Sequence, residues 1–184
     1  MPGPPTIATR MPDTIPHIRE ERPEDVVAIR EIERAAFAGH PHQANAADPV
    51  EPRIVDRLRD AGALSLSLVA ESSDQIVGHI AFSPVLVGER SCGWYGLGPV
   101  AVLPAYQRRG IGGTLINGGL GRLRVWGAAG VVLVGEPAYY GRFGFQRDSR
   151  LTFPGVPGEY FLCLPFGDAV PAGDVTYHDA FTVG

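Results

Sequence analysis

Val100-Ala-Val-Leu-Pro-Ala-Tyr-Gln-Arg-Arg-Gly-Ile-Gly-Gly-Thr-Leu115 is the stretch from which the rest of the chain can be read. Its apolar start, Val100 to Val102, has strand character and is stopped by Pro104. A loop holding Arg108, Arg109, Gly110, Gly112 and Gly113 then opens an apolar-periodic helix that reaches Trp126. Strand, glycine loop and helix start together form an anion-binding geometry. Residues without side chains let the backbone approach a ligand, and the first N–H groups of a helix have no intrahelical partner. Two adjacent guanidiniums add fork-shaped cationic donors at that mouth. The expectation is a pyrophosphate cradle; the competing reading is an ordinary glycine-rich connection.

Spacing narrows the choice. No Gly-Lys-Ser/Thr follows the glycines, and the chain contains no lysine, so this is not a P-loop. A dinucleotide fold wants its glycines directly after the strand, whereas seven residues separate Val102 from Gly110 here. Gln107-Arg108-Arg109-Gly110-Ile111-Gly112 instead resembles the Gln/Arg-x-x-Gly-x-Gly/Ala motif of the GNAT (Gcn5-related N-acetyltransferase) superfamily. In that family the loop binds the pyrophosphate of acetyl-coenzyme A.

At 184 residues and 45% hydrophobic content the chain suits one well-filled core, expected over 17–184. The formal net charge of -4 and scattered cations indicate no nucleic-acid face. Cys92 and Cys163 have no metal-ligand spacing and read as buried reduced thiols, which suits a cytoplasmic location. No run approaches the roughly 20 apolar residues that span a bilayer, and the start lacks signal-peptide order. Residues 1–16, with five prolines, read as a disordered tail.

His17 to Arg19 reads as a first strand, Pro23 with Glu24 and Asp25 as the first turn of a helix whose apolar stripe runs from Val26 to Phe37, and the stretch from Pro52 as a second helix stopped by Gly62. Arg53, Asp56, Arg57, Arg59 and Asp60 form the solvated face of that second helix. The segment between the helices, with His40 and His42, reads as a loop near substrate. From Leu64 the period changes to two, and turns at Ser72-Ser73-Asp74 and Gly88 to Ser91 make an antiparallel meander whose last strand feeds the cradle. Gly96, Gly98 and Pro99 are awkward in a central strand and predict a bulge or splay. Leu115, Ile116, Leu120, Leu123 and Trp126 form the inner face of the third helix, which its glycines weaken. Val131 to Val134 is wholly apolar, as a parallel strand covered on both faces should be. Ala138 to Phe143 reads as a short helix, and Tyr160 to Leu164 and Asp174 to Tyr177 as late strands.

Tyr140-Gly141-Arg142-Phe143-Gly144-Phe145 carries the second resemblance, to the GNAT Tyr-x-x-x-Gly-Phe pattern that follows the parallel strand. The ending from Gly173 to Phe181, with Ser67 to Glu71 and Gly78 to Pro84, is similar to the YhbS-like acetyltransferases. The resemblance implies an α/β (mixed α+β) fold: a twisted, mixed, mostly antiparallel sheet, helices on both faces, and a V-shaped splay between two central parallel strands. It further implies transfer of an acetyl group from acetyl-CoA to a primary amine of a small molecule or peptide, without a metal. Val100, Ala101 and Val102 would meet the pantetheine arm, with the Val102 N–H facing the thioester oxygen. Gln107, Arg108, Arg109, Gly110, Ile111, Gly112, Gly113 and Thr114 would wrap the pyrophosphate, and Tyr140 would be the general acid toward the departing thiolate. The base is not implied by the resemblance; Glu136 is the first candidate, with His79, as an outward strand histidine, and Glu71 behind it. A non-catalytic acyl-CoA sensor or partner-binding protein is the rival. Oligomeric state is open, a homodimer included.

Overall fold

The computed structural model of the chain describes residues 15–39 and 48–182. Elements follow in the order β1 (His17–Glu20), α1 (Val26–Phe37), α2 (Glu51–Asp60), β2 (Leu66–Ser72), β3 (Gln75–Val87), β4 (Arg90–Val102), α3 (Ile111–Val125), β5 (Gly130–Val134), α4 (Pro137–Tyr140), β6 (Leu151–Thr152), β7 (Phe161–Pro165) and β8 (Gly173–Thr176). The histidines at 40 and 42 and most of the N-terminal tail lie outside the described residues. Among the described residues no helix is long and apolar enough to cross a membrane.

The strands make one open, mostly antiparallel sheet in the order β1-β2-β3-β4-β5-β7, with β8 on the far end of β3 and short β6 beside it. Only β4 and β5 run parallel within the main path, and they pair only over Trp94–Gly130, Tyr95–Val131 and Gly96–Val132. Beyond Gly96 the strands part. At that point β4 also slips against β3: Ile80 faces Val100 but Phe82 faces Leu97, so Ala81 opposes both Gly98 and Pro99. Two residues against one is a bulge, and it bends β4 away from its parallel neighbour. Glycine and proline at the bend have no ladder role to lose.

Adjacent residues of β3 show which helix covers which face, because side chains alternate along a strand. A side chain at Gly78 would meet Leu115 and Ile111 of α3, while His79 bonds Glu33 of α1. The α3 face is a dry core of Leu68, Ile80, Phe82, Leu115, Ile116 and Leu120. Gly119 belongs to it for a steric reason: a Cβ there would sit 2.3 Å from the Phe82 ring. One of the glycines that lower helix propensity thus lets helix and sheet close together. Trp126, expected on this inner face, is instead the helix's half-exposed C-cap.

The opposite face differs from the sequence expectation. The Leu/Ser alternation of β2 predicts a polar face, yet Ser67 is as buried as its neighbours because α1 and α2 cover it. His79 is fully buried rather than outward. Arg59, expected on a solvated helix face, turns inward to Glu21 at 2.8 Å and to Asp56 at 2.8 Å. Both cysteines are free, and burial, chiefly, pushes the Cys163 thiol up to about 11.

Candidate active site

Gly110 caps α3 in the left-handed conformation, φ 79°, which glycine adopts without steric cost. The first backbone bond of the helix runs from the Thr114 N–H to the Gly110 carbonyl at 3.0 Å, so the amides of Ile111, Gly112 and Gly113 project beyond the helix start. Arg108, at φ 61°, turns the loop that leads into them. These groups border a cavity of about 680 Å³ lined by Val100, Val102, Tyr106, Gln107, Arg108, Gly110, Ile111, Gly112, Gly113, Tyr139, Tyr140, Arg142 and Phe143. A Cβ on Gly112 would approach the Tyr139 hydroxyl to 3.3 Å, so the absence of a side chain keeps this cradle open.

Three residues grouped with the cradle face elsewhere. Ala101 pairs with His79 on β3 and buries its methyl. Arg109 lies over the Tyr106 ring, 5.3 Å from its centroid, outside the lining. The Thr114 hydroxyl bonds the Gly110 carbonyl at 3.0 Å and braces the helix start. Gln107 has a double role, since its side chain donates to the Val102 carbonyl at 3.0 Å while lining the cavity. Arg142, 4.7 Å from the Tyr139 centroid, is a second lining cation that the Arg-Arg-Gly motif does not disclose.

The edge of β4 that faces the splay carries backbone polar groups. The Leu103 N–H donates to the Val77 carbonyl at 2.9 Å, toward β3. Successive amides of a strand point to opposite edges, so the N–H groups of Val102 and Val100 aim away from β3, where β5 has departed.

A second cavity, of about 430 Å³, opens on the other side of the splay and is lined by Phe37, Glu51, Ile54, Leu97, Gly98, Pro99, Val100, Val134, Tyr140, Phe153, Tyr177 and Phe181. Val100 and Tyr140 line both cavities, which makes them the junction. Tyr140 is held there by Tyr139 at 4.9 Å, by Phe145 at 6.2 Å, and by Gly135, where a Cβ would lie 2.3 Å from its ring. Burial, with a smaller contribution from Tyr139, pushes the Tyr140 phenol up to about 12, so it keeps its proton at neutral pH. Tyr177 crosses Gly96 at the root of the splay, with a Cβ there only 2.4 Å from its ring.

Glu136 is exposed and caps α4 through its carbonyl, which accepts from the Tyr139 and Tyr140 amides; it lines neither cavity. Glu71 pairs with Arg19 at 2.8 Å, on the β1 side of the sheet. The carboxylate that the described residues do bring to the second cavity is Glu51, at the start of α2. No periodicity or motif marks it.

The model of the acetyltransferase (GNAT) domain family matches residues 17–147. The uncharacterized N-acetyltransferase YhbS of Escherichia coli (strain K12) is 35% identical over 171 residues, 89% of this chain and 97% of that protein. A GNAT family acetyltransferase from Brucella melitensis, solved in complex with acetyl-CoA, shares 53% identity at a TM-score of 0.79, covering 90% of this chain and 97% of its own. The crystal structure of E. coli YhbS in complex with CoA matches at a TM-score of 0.82 and 33% identity, over 92% of this chain and 93% of that one.

Proposed function

The chain belongs to the GNAT acetyltransferase family, and from that premise we propose that it is an N-acetyltransferase moving an acetyl group from acetyl-CoA directly to a primary amine, with both substrates bound together. The observation that carries this reading is the junction at Val100 and Tyr140, where an anion cradle and a second, chemically different cavity meet across parted strands. The cradle fits a diphosphate: unpaired helix amides, the lining cations Arg108 and Arg142, and a floor that a side chain at Gly112 would fill. Two similar proteins were solved holding acetyl-CoA or CoA.

Acetyl-CoA supplies an acyl group on a thiol leaving group. The Val102 N–H on the open edge of β4 offers a hydrogen bond to an oxygen that gains charge as the amine attacks. Tyr140 offers its O–H to the departing sulfur. A phenol pushed up to about 12 is far above a thiol's reference of about 8.5, so donating a hydrogen bond suits it better than outright protonation. The acceptor side is largely aliphatic and aromatic, with Glu51 as the carboxylate among its described lining residues. That pattern fits an ammonium group on an apolar body, in a small molecule or at the end of a peptide.

Calorimetric titration with acetyl-CoA, followed by thiol release with an amine panel that includes 2-phenylethylamine and spermidine, tests the reading. The expected result is measurable coenzyme affinity and preference for the apolar amine. Binding without thiol release from any amine would favour a non-catalytic acyl-CoA sensor. No binding by the intact protein ends the proposal.

A further inference from the structure

The second cavity has two unlike ends. Leu97, Gly98, Pro99 and Val100 of β4 and Val134 of β5 line the end inside the splay, whereas Phe37, Glu51 and Ile54 of α1 and α2 line the wide end. Tyr177 closes the first. Gly96–Val132 is the last row in which β4 and β5 pair, and a Cβ on Gly96 would lie 2.4, 3.0 and 3.2 Å from Cε1, Cδ1 and Cζ of Tyr177. The ring therefore lies against the backbone of that row with no gap beneath it. Ser83 opposes Gly96 on β3, where directly paired residues share a face, and it is fully buried outside the cavity lining. The cavity ends at the ring.

Packing rather than hydrogen bonding holds that ring. Its centroid is 5.0 Å from that of Phe153 and 5.1 Å from that of Phe181, and both partners line the same cavity. The Tyr177 hydroxyl is buried with no hydrogen-bond partner among the described residues, and so is the Ser83 hydroxyl. A buried hydroxyl without a partner costs stability, so what this wall uses is the flat bulk of the ring. In a close-packed interior the ring cannot retreat without dislodging Phe153 and Phe181.

The four groups on the reacting carbon say what meets the wall. In the transfer the amine nitrogen bonds to the carbonyl carbon, the C–S bond breaks, and the proton that the amine loses balances the one that the departing thiolate gains. The oxygen lies toward the open edge of β4, where the Val102 N–H points, and the sulfur toward Tyr140 at the junction of the two cavities. The amine arrives from the wide end, beside α1 and α2. A tetrahedral carbon has one direction left, and it runs down the splay to Tyr177.

Resting on the acetyltransferase reading, we propose that Tyr177 is a specificity-determining residue for the acyl donor: its ring is the end wall of the acyl pocket and limits the transferred group to acetyl. A methyl group fits between the junction and the ring. A longer chain on the same carbon runs into the Tyr177 face, and each added methylene in a closed apolar pocket costs rate.

Acetyl-, propionyl-, butyryl- and hexanoyl-CoA, each supplied with 2-phenylethylamine and followed by thiol release, test the wall. Wild-type kcat/KM should fall along the series, with butyryl-CoA on the order of a hundredfold below acetyl-CoA. Tyr177→Leu should raise the butyryl-to-acetyl ratio by about tenfold or more. Tyr177→Phe keeps the ring and should hold the wild-type ratio and at least the wild-type melting temperature. Equal use of acetyl- and butyryl-CoA by the wild type overturns the proposal, as does an unchanged ratio in Tyr177→Leu or a changed one in Tyr177→Phe. If Tyr177→Leu does not fold, Tyr177→Met is read by the same ratio. With acetyl-CoA, the rate on 2-phenylethylamine relative to 4-phenylbutylamine should be the same in Tyr177→Leu as in the wild type; a shift there in place of the acyl shift makes Tyr177 an acceptor wall and also overturns the proposal. Turnover without chain-length discrimination removes the wall and leaves the acetyltransferase reading standing. Acetyl-CoA binding without thiol release counts against that reading, and the acyl preference is then read from the Kd series; no binding by the wild-type protein ends both.

Discussion

The two cavities that meet at Val100 and Tyr140 are built in opposite ways. The cradle comes from two short stretches, 100–113 and 139–143, and the polar groups it offers are mainly backbone amides with flanking guanidiniums. The second cavity, where we place the acceptor, draws single residues from widely separated parts of the chain, from Phe37 on α1 to Phe181, most of them with large side chains. A backbone site tolerates any residue that leaves the amides accessible, so it is sensitive to glycine replacement. A side-chain site changes its preferences with each lining residue and is where specificity can drift without loss of coenzyme binding.

The largest effect that would break this contrast is on the cradle. Gly112→Leu places a branched side chain where even a Cβ approaches the Tyr139 hydroxyl to 3.3 Å, and acetyl-CoA affinity by calorimetry should fall by roughly a hundredfold or more, the equivalent of two lost charge-assisted hydrogen bonds. Retained affinity would show that the amides at the start of α3 are not the coenzyme's anchor.

Next comes the junction. Tyr140→Phe should lower kcat by roughly ten- to a hundredfold with coenzyme affinity little changed, because the lost donor acts on the leaving group. Since that phenol is pushed up to about 12, wild-type kcat should show no descending limb below about pH 10. A limb near neutrality would assign the acid to another group.

On the acceptor side the expected change is smaller and differently partitioned. Glu51→Gln should raise the KM for 2-phenylethylamine by about tenfold, the loss of one partly screened charge pair, and leave the acetyl-CoA Kd alone. If coenzyme binding weakened equally, the two cavities would not be separable in the way their linings suggest.

The smallest effect serves as a control on both. Arg19 holds Asp25 through contacts of 2.6 and 3.1 Å, and Asp25 also accepts the Arg22 amide. The Arg19 hydrogen bond, against an opposing contribution from burial, holds the Asp25 carboxyl below its ordinary value. A carboxylate depressed in the folded state stabilises above its unfolded pKa of about 3.9 and loses that contribution as pH falls through the folded value. Asp25→Asn should therefore cost about 1–3 kcal/mol at pH 7 by denaturant titration, with the difference from wild type shrinking below pH 4, and kcat should not change.

Legibility in the sequence follows the same division as the two cavities. The strand-loop-helix unit, the meander, the parallel β5 and the bulge near Gly98 could be read because each depends on neighbours in the chain: a glycine at a helix start, a change of period from 3.6 to two, a proline in a central strand. Tyr140, which lines both cavities where Tyr139 lines one, stands out in the sequence because its spacing to Gly144-Phe145 is local. His79 reads as outward, yet it is buried, because strand alternation cannot reveal that a second layer of helix covers the far face. Glu51 carries no signal, Tyr177 only its place in a late strand and in the family-like ending, and Glu136 looks well placed only because it follows closely on β5.

What the amino-acid order determined alone was therefore the family, the sheet with its splay, and the cradle, since a helix start with open amides is a property of about a dozen consecutive residues. What the tertiary structure decided was which carboxylate borders the second cavity, which histidine is buried against which glutamate, and why Gly96 and Gly119 bear no side chain. Those are contacts between residues tens of positions apart, and they exist only because hydrophobic burial brings α1 and α2 onto one face of the sheet and the segment after β8 against α2.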